Sequence, residues 1–456
     1  MIRPNKVLAD GSELLHCTER QTSIRCSASG RRENGVIELI KPHTGHTENQ
    51  GLVAAKIARL EVKQLAETTK IAPRDVLHEA KMSHGANAVV MAGSYSSLTR
   101  LISRSREERC PDADAADSAN PVFRGKMTLD NDQEQFLLFD DTLIQTGGRV
   151  AGFGSKLSLE VLEMSSVLLT DGTFAVAKDP FKQLWTLHAK FDDSTIPVVH
   201  VLMTSRSVAD YVFVLEKLKA LMPSWNPSDY LGDLEIGQAK AVSTVFPSVR
   251  TSFCYFHLLQ SWFRQLKKLN LDDMCKHGSC LYPFWSLLRC LPYADVSEVE
   301  SDFDQLISLL PTPITNDMQK FVDYIKKYYV GPRHSLMFPP ATWNVASRTM
   351  RNMPRTTNSV EALHRNLERC MSITRGRASP LLSELLRCLR QEASKLKFDK
   401  ESLDIDPTYQ VSSQRKLKDV AKDARILAVY QKKTSTGAPL KGLDFLKAMR
   451  AAKKYI

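Results

Sequence analysis

The sequence has no apolar run long enough to cross a bilayer, and its first residues lack the apolar core of a signal peptide. Its nine cysteines are scattered and odd in number, which argues against the disulfide framework of a small secreted protein. Acidic residues are outnumbered, 51 against 62 basic ones, so the formal net charge is +11. We therefore expect a globular protein of two to four domains, with reduced thiols, located in the nucleus or cytosol and suited to a polyanionic partner.

The excess of positive charge is concentrated near the C-terminus. Residues 371–456 contain 19 lysines and arginines against 9 aspartates and glutamates, a net charge of +10. Apolar spacing predicts helices over 380–397 and 416–432. A basic helical tail over 401–456 is therefore a candidate for contacts with DNA phosphates, and a solvated helical surface is the equally simple alternative.

The middle of the chain alternates strand-like and helix-like patterns. Runs rich in β-branched and aromatic residues predict strands at 135–139, 167–169, 183–191, 196–204, 230–232 and 249–256. Apolar spacing predicts helices at 211–222, 238–246 and 258–269. Together these elements predict an α/β fold with a sheet flanked by helices. Asp171 and Asp233 each follow one of the predicted strands, where a turn residue is the ordinary interpretation of either aspartate.

Several motifs in this region resemble the transposase domain of Mutator-like elements, the MULE family. They are LLTDGTF at 168–174, P-F-x-Q-L at 180–184, PVVHVLM at 197–203, D-x-E-x-x-x-A at 233–239 and CYFHLLQSWFRQLKKLNL at 254–271. RTTNSVEALH at 355–364 resembles the TNN-x-x-E-x-x-H segment of that family. The resemblance covers residues 130–375 and implies an RNase H-like fold with a mixed sheet. It also implies a D, D, E triad of Asp171, Asp233 and Glu361 that cuts and joins DNA.

Phosphodiester chemistry gives an independent reason for three carboxylates. Two Mg²⁺ or Mn²⁺ ions generate the nucleophile and stabilise the leaving oxygen, and such hard cations prefer carboxylate oxygens. Asp171 would bridge both ions, while Asp233 and Glu361 would each complete one site. Glu361 lies on a predicted helix, and Glu235 and Glu368 remain alternatives to it.

Cys254 and His257 form a C-x-x-H pair at a position that the MULE family also keeps. Two ligands do not make a structural zinc site, which needs four. The resemblance implies that His257 lies beside the metal ligands or faces a DNA phosphate. Cys254, inside an apolar strand pattern, is also readily explained as core.

The first 50 residues contain a second set of metal-ligand types. Cys17, Cys26, His43 and His46 have the spacing C-x8-C-x16-H-x2-H, which could hold one tetrahedral Zn²⁺. The segment resembles a FLYWCH-type finger, although Leu15 stands where that family has an aromatic residue. Two unrelated cysteines and a histidine-bearing loop are the alternative.

The rest of the chain is predicted to be largely helical. Residues 51–125 are predicted to form a helical DNA-binding region that ends in a linker at 111–121, with Arg100, Arg104 and Arg106 as candidate DNA contacts. We assign 126–270 to the first part of the RNase H-like core, 271–353 to an all-helical insertion and 354–400 to the last helices of the core. Arg348 and Arg351, near Trp343, are further candidates for DNA contact.

These patterns predict a MULE-type transposase or a domesticated descendant that acts on terminal inverted repeats. We expect double-stranded DNA as partner, no membrane contact, nuclear location, and a homo-oligomer on DNA. The alternative is a domesticated DNA-binding regulator that has lost the chemistry. Loss of metal-dependent cleavage would distinguish the regulator from the enzyme.

Overall fold

The computed structural model describes residues 2–7, 12–33, 36–47, 49–192, 194–332, 336–371, 381–411, 417–434 and 440–453. The chain divides into two compact units, Met1–Asp117 and Ser118–Ile456. Among the described residues, no helix is both long enough and apolar enough to span a membrane.

The first unit begins with a four-stranded antiparallel sheet and continues with helices. The strands, in sheet order, are β1 (Ile2–Val7), β2 (Glu13–Cys17), β3 (Ser29–Glu33) and β4 (Val36–Lys41). The helices are α1 (Gln50–Thr68), α2 (Pro73–His84), α3 (Ala86–Ala92), α4 (Tyr95–Arg109) and α5 (Pro111–Asp117). The helical core contains Ala58, Val62 and Val76, none of which is exposed, because their spacing places them on the inner faces of α1 and α2.

The end of this unit differs from the sequence-based expectation. The composition of 111–121 predicts a linker, whereas residues 111–117 form α5. Pro111 stands at its first position, where a missing N–H costs no helical hydrogen bond. Ala113 and Ala116, spaced i and i+3, are fully buried. Small residues and acidic residues are therefore compatible here with a short packed helix.

The second unit is built on a seven-stranded mixed sheet. The strands are β5 (Leu137–Thr142), β6 (Arg149–Phe153), β7 (Val167–Thr173), β8 (Gln183–Phe191), β9 (Ser194–Met203), β10 (Asp229–Gly232) and β11 (Arg250–Phe253), and their order is β11-β10-β7-β8-β9-β6-β5. β7, β8 and β9 are antiparallel neighbours, while β10 and β11 run parallel to β7. This order is that of an RNase H-like sheet, which confirms the predicted fold class.

Helices surround this sheet. They are α6 (Lys156–Met164), α7 (Val208–Leu221), α8 (Ile236–Val245), α9 (Tyr255–Lys268), α10 (Tyr282–Leu288), α11 (Val299–Ile307), α12 (Asn316–Ile325), α13 (Pro340–Trp343), α14 (Ala346–Met350), α15 (Asn358–Cys370), α16 (Leu382–Ile405), α17 (Leu417–Thr434) and α18 (Gly442–Lys453). In the described part of 271–353 the regular elements are all helical. Trp262 and Trp343 are fully buried and meet edge to face, so Trp343 belongs to the core.

The two faces of the sheet are covered by different helices. The hydroxyl of Thr170 in β7 donates to Gln238 of α8, at 2.9 Å. The next residue, Asp171, faces His364 of α15, with 3.4 Å between Oδ2 and Nδ1. Because successive strand residues point to opposite faces, α8 and α15 lie on opposite sides of β7. The face under α15 is therefore the one that carries Asp171.

The basic C-terminal helices are packed against the insertion. Tyr430 of α17 donates to the carbonyl of Tyr293 at 2.9 Å, and Phe445 and Met449 of α18 are fully buried. Lys433 pairs with Asp295 at 2.8 Å. At least one lysine of the basic C-terminal segment is therefore paired with an acidic residue of the same unit.

Candidate active site of the second unit

Asp171 and Asp233 occupy equivalent positions on neighbouring strands. Leu169 of β7 pairs with Leu231 of β10 in parallel register, and each aspartate stands two residues beyond its leucine. Adjacent strands lie about 4.8 Å apart, and residues i and i+2 share a face. The pairing therefore brings together two carboxylates that are 62 residues apart in the chain.

The closeness of the two carboxylates is visible in their electrostatics. Asp171 is 4% exposed, and its Oδ1 accepts the N–H of Gly172 at 2.9 Å. Burial and the negative charge of Asp233 raise the pKa of Asp171 to about 8. Two acids held this close disfavour simultaneous ionisation, so the pair is suited to a cation.

His257 lies against Asp233 at the start of α9. Its Nδ1 forms an ion pair with Oδ1 of Asp233. Burial lowers the pKa of His257, but the contacts with Asp233 and Cys254 outweigh burial and raise it to about 10. Cys254 is fully buried and precedes α9, and its N–H donates to the carbonyl of Gly232 at 2.8 Å. The C-x-x-H pair therefore adjoins Asp233, with Cys254 both buried and beside the site.

Helix α15 brings the segment that contains Glu361 to the same face of the sheet. The backbone of Glu361 lies within α15, and its side chain falls outside the described residues. His364, three residues later, contacts Asp171 and is buried, which lowers its pKa to about 4. The participation of Glu361 stays a prediction.

Three histidines near Asp171 were not predicted as site residues. His364 was signalled by the family-like segment at 355–364, where a histidine follows the glutamate. His200 and His188 carried no signal, because a histidine within an apolar strand looks ordinary. The register places Asp171 opposite Thr186 and Thr186 opposite His200. Burial lowers the pKa of His200 to about 3 and holds that of His188 well below its usual value, so both are neutral imidazoles.

Glu235, one of the two alternatives to Glu361, forms hydrogen bonds on the face of the sheet opposite Asp171. Its Oε1 accepts from the hydroxyl of Tyr211 at 2.9 Å and its Oε2 from Gln238 at 3.0 Å. Both partners belong to the helices of the face opposite Asp171. These bonds assign Glu235 a structural role.

Comparison with known proteins gives one family match, which lies in the second unit. Residues 167–261 match the family model of the MULE transposase domain. The matched segment lies within the second unit and runs from β7 into α9. No curated protein matched the sequence. A solved structure, the Drosophila P element transposase strand transfer complex, aligns at 11% identity over 89% of this chain and 92% of that chain, with a TM-score of 0.23. A TM-score this low does not show a shared fold.

The arginines predicted to contact DNA have different surroundings. Arg100 and Arg104 of α4 are exposed. Arg106 donates to the carbonyl of Ile71, and Arg348, only 4% exposed, donates to the carbonyl of Phe253 at 2.9 Å beside the strand that precedes Asp233. The structure assigns these two guanidiniums to internal carbonyl groups, because buried donors must be paired. We therefore keep only Arg100 and Arg104 as candidates for phosphate contact from this group.

Arg351 has an internal partner too. Its guanidinium and that of Arg250 both pair with Asp229, with N···O distances of 3.0 and 2.7 Å. These bonds outweigh burial and hold the pKa of Asp229 well below its usual range. Asp229 opens β10, so this network supports the strand that leads to Asp233.

We expect Asp229→Asn to lower the free energy of unfolding by about 1–2 kcal/mol. The loss is this modest because solvent screens the ion pairs of the two partly exposed arginines. A lowered pKa means that this contribution is fully present above the ordinary carboxyl pKa, begins to decrease as the pH falls below it, and is lost only as the pH falls through the lowered pKa of the folded state. Urea unfolding at pH 7 and pH 3 tests this. Equal losses at both pH values would contradict the assignment, and Asp132→Asn, at a surface pair with Lys397, is the control.

The candidate metal centre of the first unit

Cys17, Cys26, His43 and His46 converge in the first unit. Their ligand atoms all lie within 4.8 Å of one another. Sγ of Cys17 is 3.3 Å from Nε2 of His46, Sγ of Cys26 is 3.5 Å from Nδ1 of His43, and the two histidine nitrogens are 3.2 Å apart. The spacing of the four residues in the sequence therefore corresponds to one cluster.

The geometry and charge of this cluster fit zinc. A tetrahedral Zn²⁺ with Zn–S of about 2.3 Å and Zn–N of about 2.05 Å has S···N and N···N edges of about 3.3–3.6 Å. Burial raises the pKa of Cys26, but the N–H of Thr44 and other donors, including His43, lower it to about 5. Thiolate is the form that binds metal. Three of the distances between these ligand atoms, at 3.3, 3.5 and 3.2 Å, are thus close to those of a tetrahedral zinc site.

Proposed function

We propose that this protein cuts and joins DNA as a MULE-type transposase, or descends from one that did. The observation that carries the proposal is the closeness of Asp171 in β7 to Asp233, which directly follows the neighbouring parallel strand β10, near the helix that contains Glu361. Phosphoryl transfer needs positioned carboxylates more than it needs covalent chemistry from the protein. The matched MULE segment supports the same reaction class.

The residues present fit Mg²⁺ or Mn²⁺. Asp171 and Asp233 offer hard oxygen ligands, and the raised pKa of Asp171 reflects negative charge that a divalent cation would neutralise. Glu361 is proposed as the third ligand. When bound, such ions would supply an activated water and stabilise the leaving oxygen.

The neighbouring side chains have positioning and exclusion roles in this proposal. His257 orients Asp233 through its ion pair, and the neutral imidazole of His364 contacts Asp171 from α15. The neutral His188 and His200 lie on the neighbouring strands β8 and β9 and add no charge to this face of the sheet. Asp171 is thereby held in a dry environment where electrostatic interactions are strong.

We also propose that the first unit binds DNA, with one Zn²⁺ held by Cys17, Cys26, His43 and His46 in a FLYWCH-like finger, and that the protein acts in the nucleus as a homo-oligomer. Zinc would supply folding energy there rather than catalysis. The cluster distances support the finger, and the exposed Arg100 and Arg104 support contact with DNA.

The test of this function is incubation of the purified chain with labelled DNA that carries candidate terminal repeats. We expect nicking that requires Mg²⁺ or Mn²⁺ and, with a pre-cut 3′-hydroxyl end, joining of that end to a target plasmid. DNA binding without any metal-dependent cut would favour the domesticated regulator. Joining without repeat dependence would leave an RNase H-like nuclease or integrase.

We expect the double substitution R100A/R104A to weaken binding to all DNA sequences alike. Each lost phosphate contact should reduce the slope of log K against log salt by about 0.9. Titration of fluorescent duplexes at several salt concentrations measures this slope. Arg74→Ala is the matched control, because Arg74 is 67% exposed and pairs with Asp75 in the same unit. An unchanged slope would show that α4 does not face DNA.

A further inference from the structure

The sulfur of Cys254 contacts the residue that begins α15. Thr357 donates to Sγ of Cys254 twice, from its N–H at 3.4 Å and from its hydroxyl at 3.3 Å. Both residues are fully buried. A backbone bond from Tyr255 to the carbonyl of Arg355, at 3.0 Å, runs beside these contacts. The start of α9 and the start of α15 are therefore joined at one point, which we term the Cys254–Thr357 junction.

The hydroxyl of Thr357 is used in an unusual way for its position. Thr357 is the N-cap residue of α15, where a threonine side chain ordinarily accepts an N–H from the first turn. Here it makes no such cap hydrogen bond and donates to sulfur instead. The helix gives up a stabilising interaction of its own for a bond to another element. Such local costs are typical of functional sites.

The junction connects the parts of the site that come from distant segments. Cys254 is anchored through its N–H to Gly232, the residue before Asp233, and its sulfur also hydrogen-bonds to His257. On the other side, α15 contains Glu361 and places His364 against Asp171. A displacement of α15 at its first residue would therefore change the position of Glu361 relative to both aspartates.

We propose that Cys254 is a positioning residue whose bonds from Thr357 set the position of α15, and hence of Glu361, relative to Asp171 and Asp233. The inference rests on the proposed function for its effect on catalysis, but the junction itself is a structural claim. Metal ligation depends steeply on ligand position, so a looser junction weakens metal binding before it unfolds the protein.

The first test is hydrogen exchange of Thr357→Val, which keeps the shape of the side chain and removes its donor. We expect exchange of the α15 amides at 363–369 to increase about tenfold, with no change in β7. Thr357→Ser should restore the wild-type rate. Thr349→Val is the control, because Thr349 is also buried and donates to the carbonyl of Val345 at 2.7 Å in the neighbouring α14. Unchanged exchange in α15 would overturn the proposal.

The second test is the Mg²⁺ dependence of DNA cleavage. We expect Thr357→Val and Cys254→Ala each to raise the half-saturating Mg²⁺ concentration about tenfold. The double variant should be no worse than Cys254→Ala alone, since loss of the sulfur already removes the bond from the Thr357 hydroxyl. Saturating Mg²⁺ should recover most of the rate. A rate loss equal at all Mg²⁺ concentrations, or independent effects of the two substitutions, would overturn the proposal. If the wild type makes no metal-dependent cut, the proposed function fails, and the exchange experiment alone decides the junction.

Discussion

Asp171→Asn is expected to abolish metal-dependent cleavage while making the protein more stable. The rate should fall by about 10³-fold or more, because an amide cannot replace a charged oxygen ligand at the reacting phosphate. The free energy of unfolding at pH 7 should rise by about 1–2 kcal/mol, because an amide carries neither the burial cost of the carboxylate nor its repulsion with Asp233, which together raise the pKa of Asp171 to about 8. A buried site that gains stability as it loses activity is a known trade-off of function.

Rates are measured on a pre-nicked duplex and stability by urea unfolding, each with and without Mg²⁺. A cation that binds only the folded state stabilises the wild type in proportion to its affinity, and Asp171→Asn should lose this stabilisation. Asp302→Asn is the matched control: Asp302 is buried in α11, and burial raises its pKa to about 6. Full cleavage by Asp171→Asn would contradict the metal site. A fall in stability would contradict the repulsion between Asp171 and Asp233.

Cys17→Ser is expected to unfold the sheet of the first unit. Among the side chains that the structure describes, the buried apolar cluster beside that sheet consists of Cys17, Cys26 and Ala28, which is too small to stabilise four strands. Structural zinc supplies about 10–16 kcal/mol of apparent binding energy in zinc-finger peptides, so loss of one ligand should remove most of the folding energy of this sheet. The helices α1 to α4 have a separate core and should remain folded.

Zinc content per chain and hydrogen exchange of β2 and β3 measure this effect. We expect about one zinc in the wild type and almost none in Cys17→Ser or after treatment with a chelator. Cys110→Ala is the control, since Cys110 is buried in the same unit and burial raises its pKa to about 11. Zinc-free wild type with fully protected strands would contradict the centre. Readdition of zinc should restore protection in the wild type only.

The strands within residues 167–261 could be predicted because their residue types and the turn residues at their ends both indicate a strand. The pattern at 183–191 predicts β8 with its observed bounds, since β-branched and aromatic residues end at turn residues on both sides. At 111–117 the same reasoning did not predict the helix α5, because short side chains and aspartates are typical both of linkers and of short helices with buried alanines. Local composition does not determine whether such a segment finds a partner to pack on.

The candidate site was only partly predictable for a related reason. The spacing of Cys17, Cys26, His43 and His46 was sufficient to predict their cluster, because the ligands lie close in sequence and one metal geometry accounts for all four. The internal partners of Arg106 and Arg348 could not be predicted. An arginine that pairs with internal carbonyl groups can have the same local sequence as one that faces DNA. The two kinds of arginine differ in burial, and burial is known only once the chain is folded.

The sequence by itself determined that an aspartate stands within β7 and another directly after β10, that these segments have strand-forming residues, and that four ligand types are spaced for one metal near the N-terminus. Only the tertiary structure decided that Leu169 pairs with Leu231, so that Asp171 and Asp233 meet, and that Cys254 receives Thr357. The physical reason is that strand register and helix docking are set by contacts between segments tens of residues apart. A shift of one residue would turn either aspartate to the opposite face while leaving the local sequence pattern unchanged.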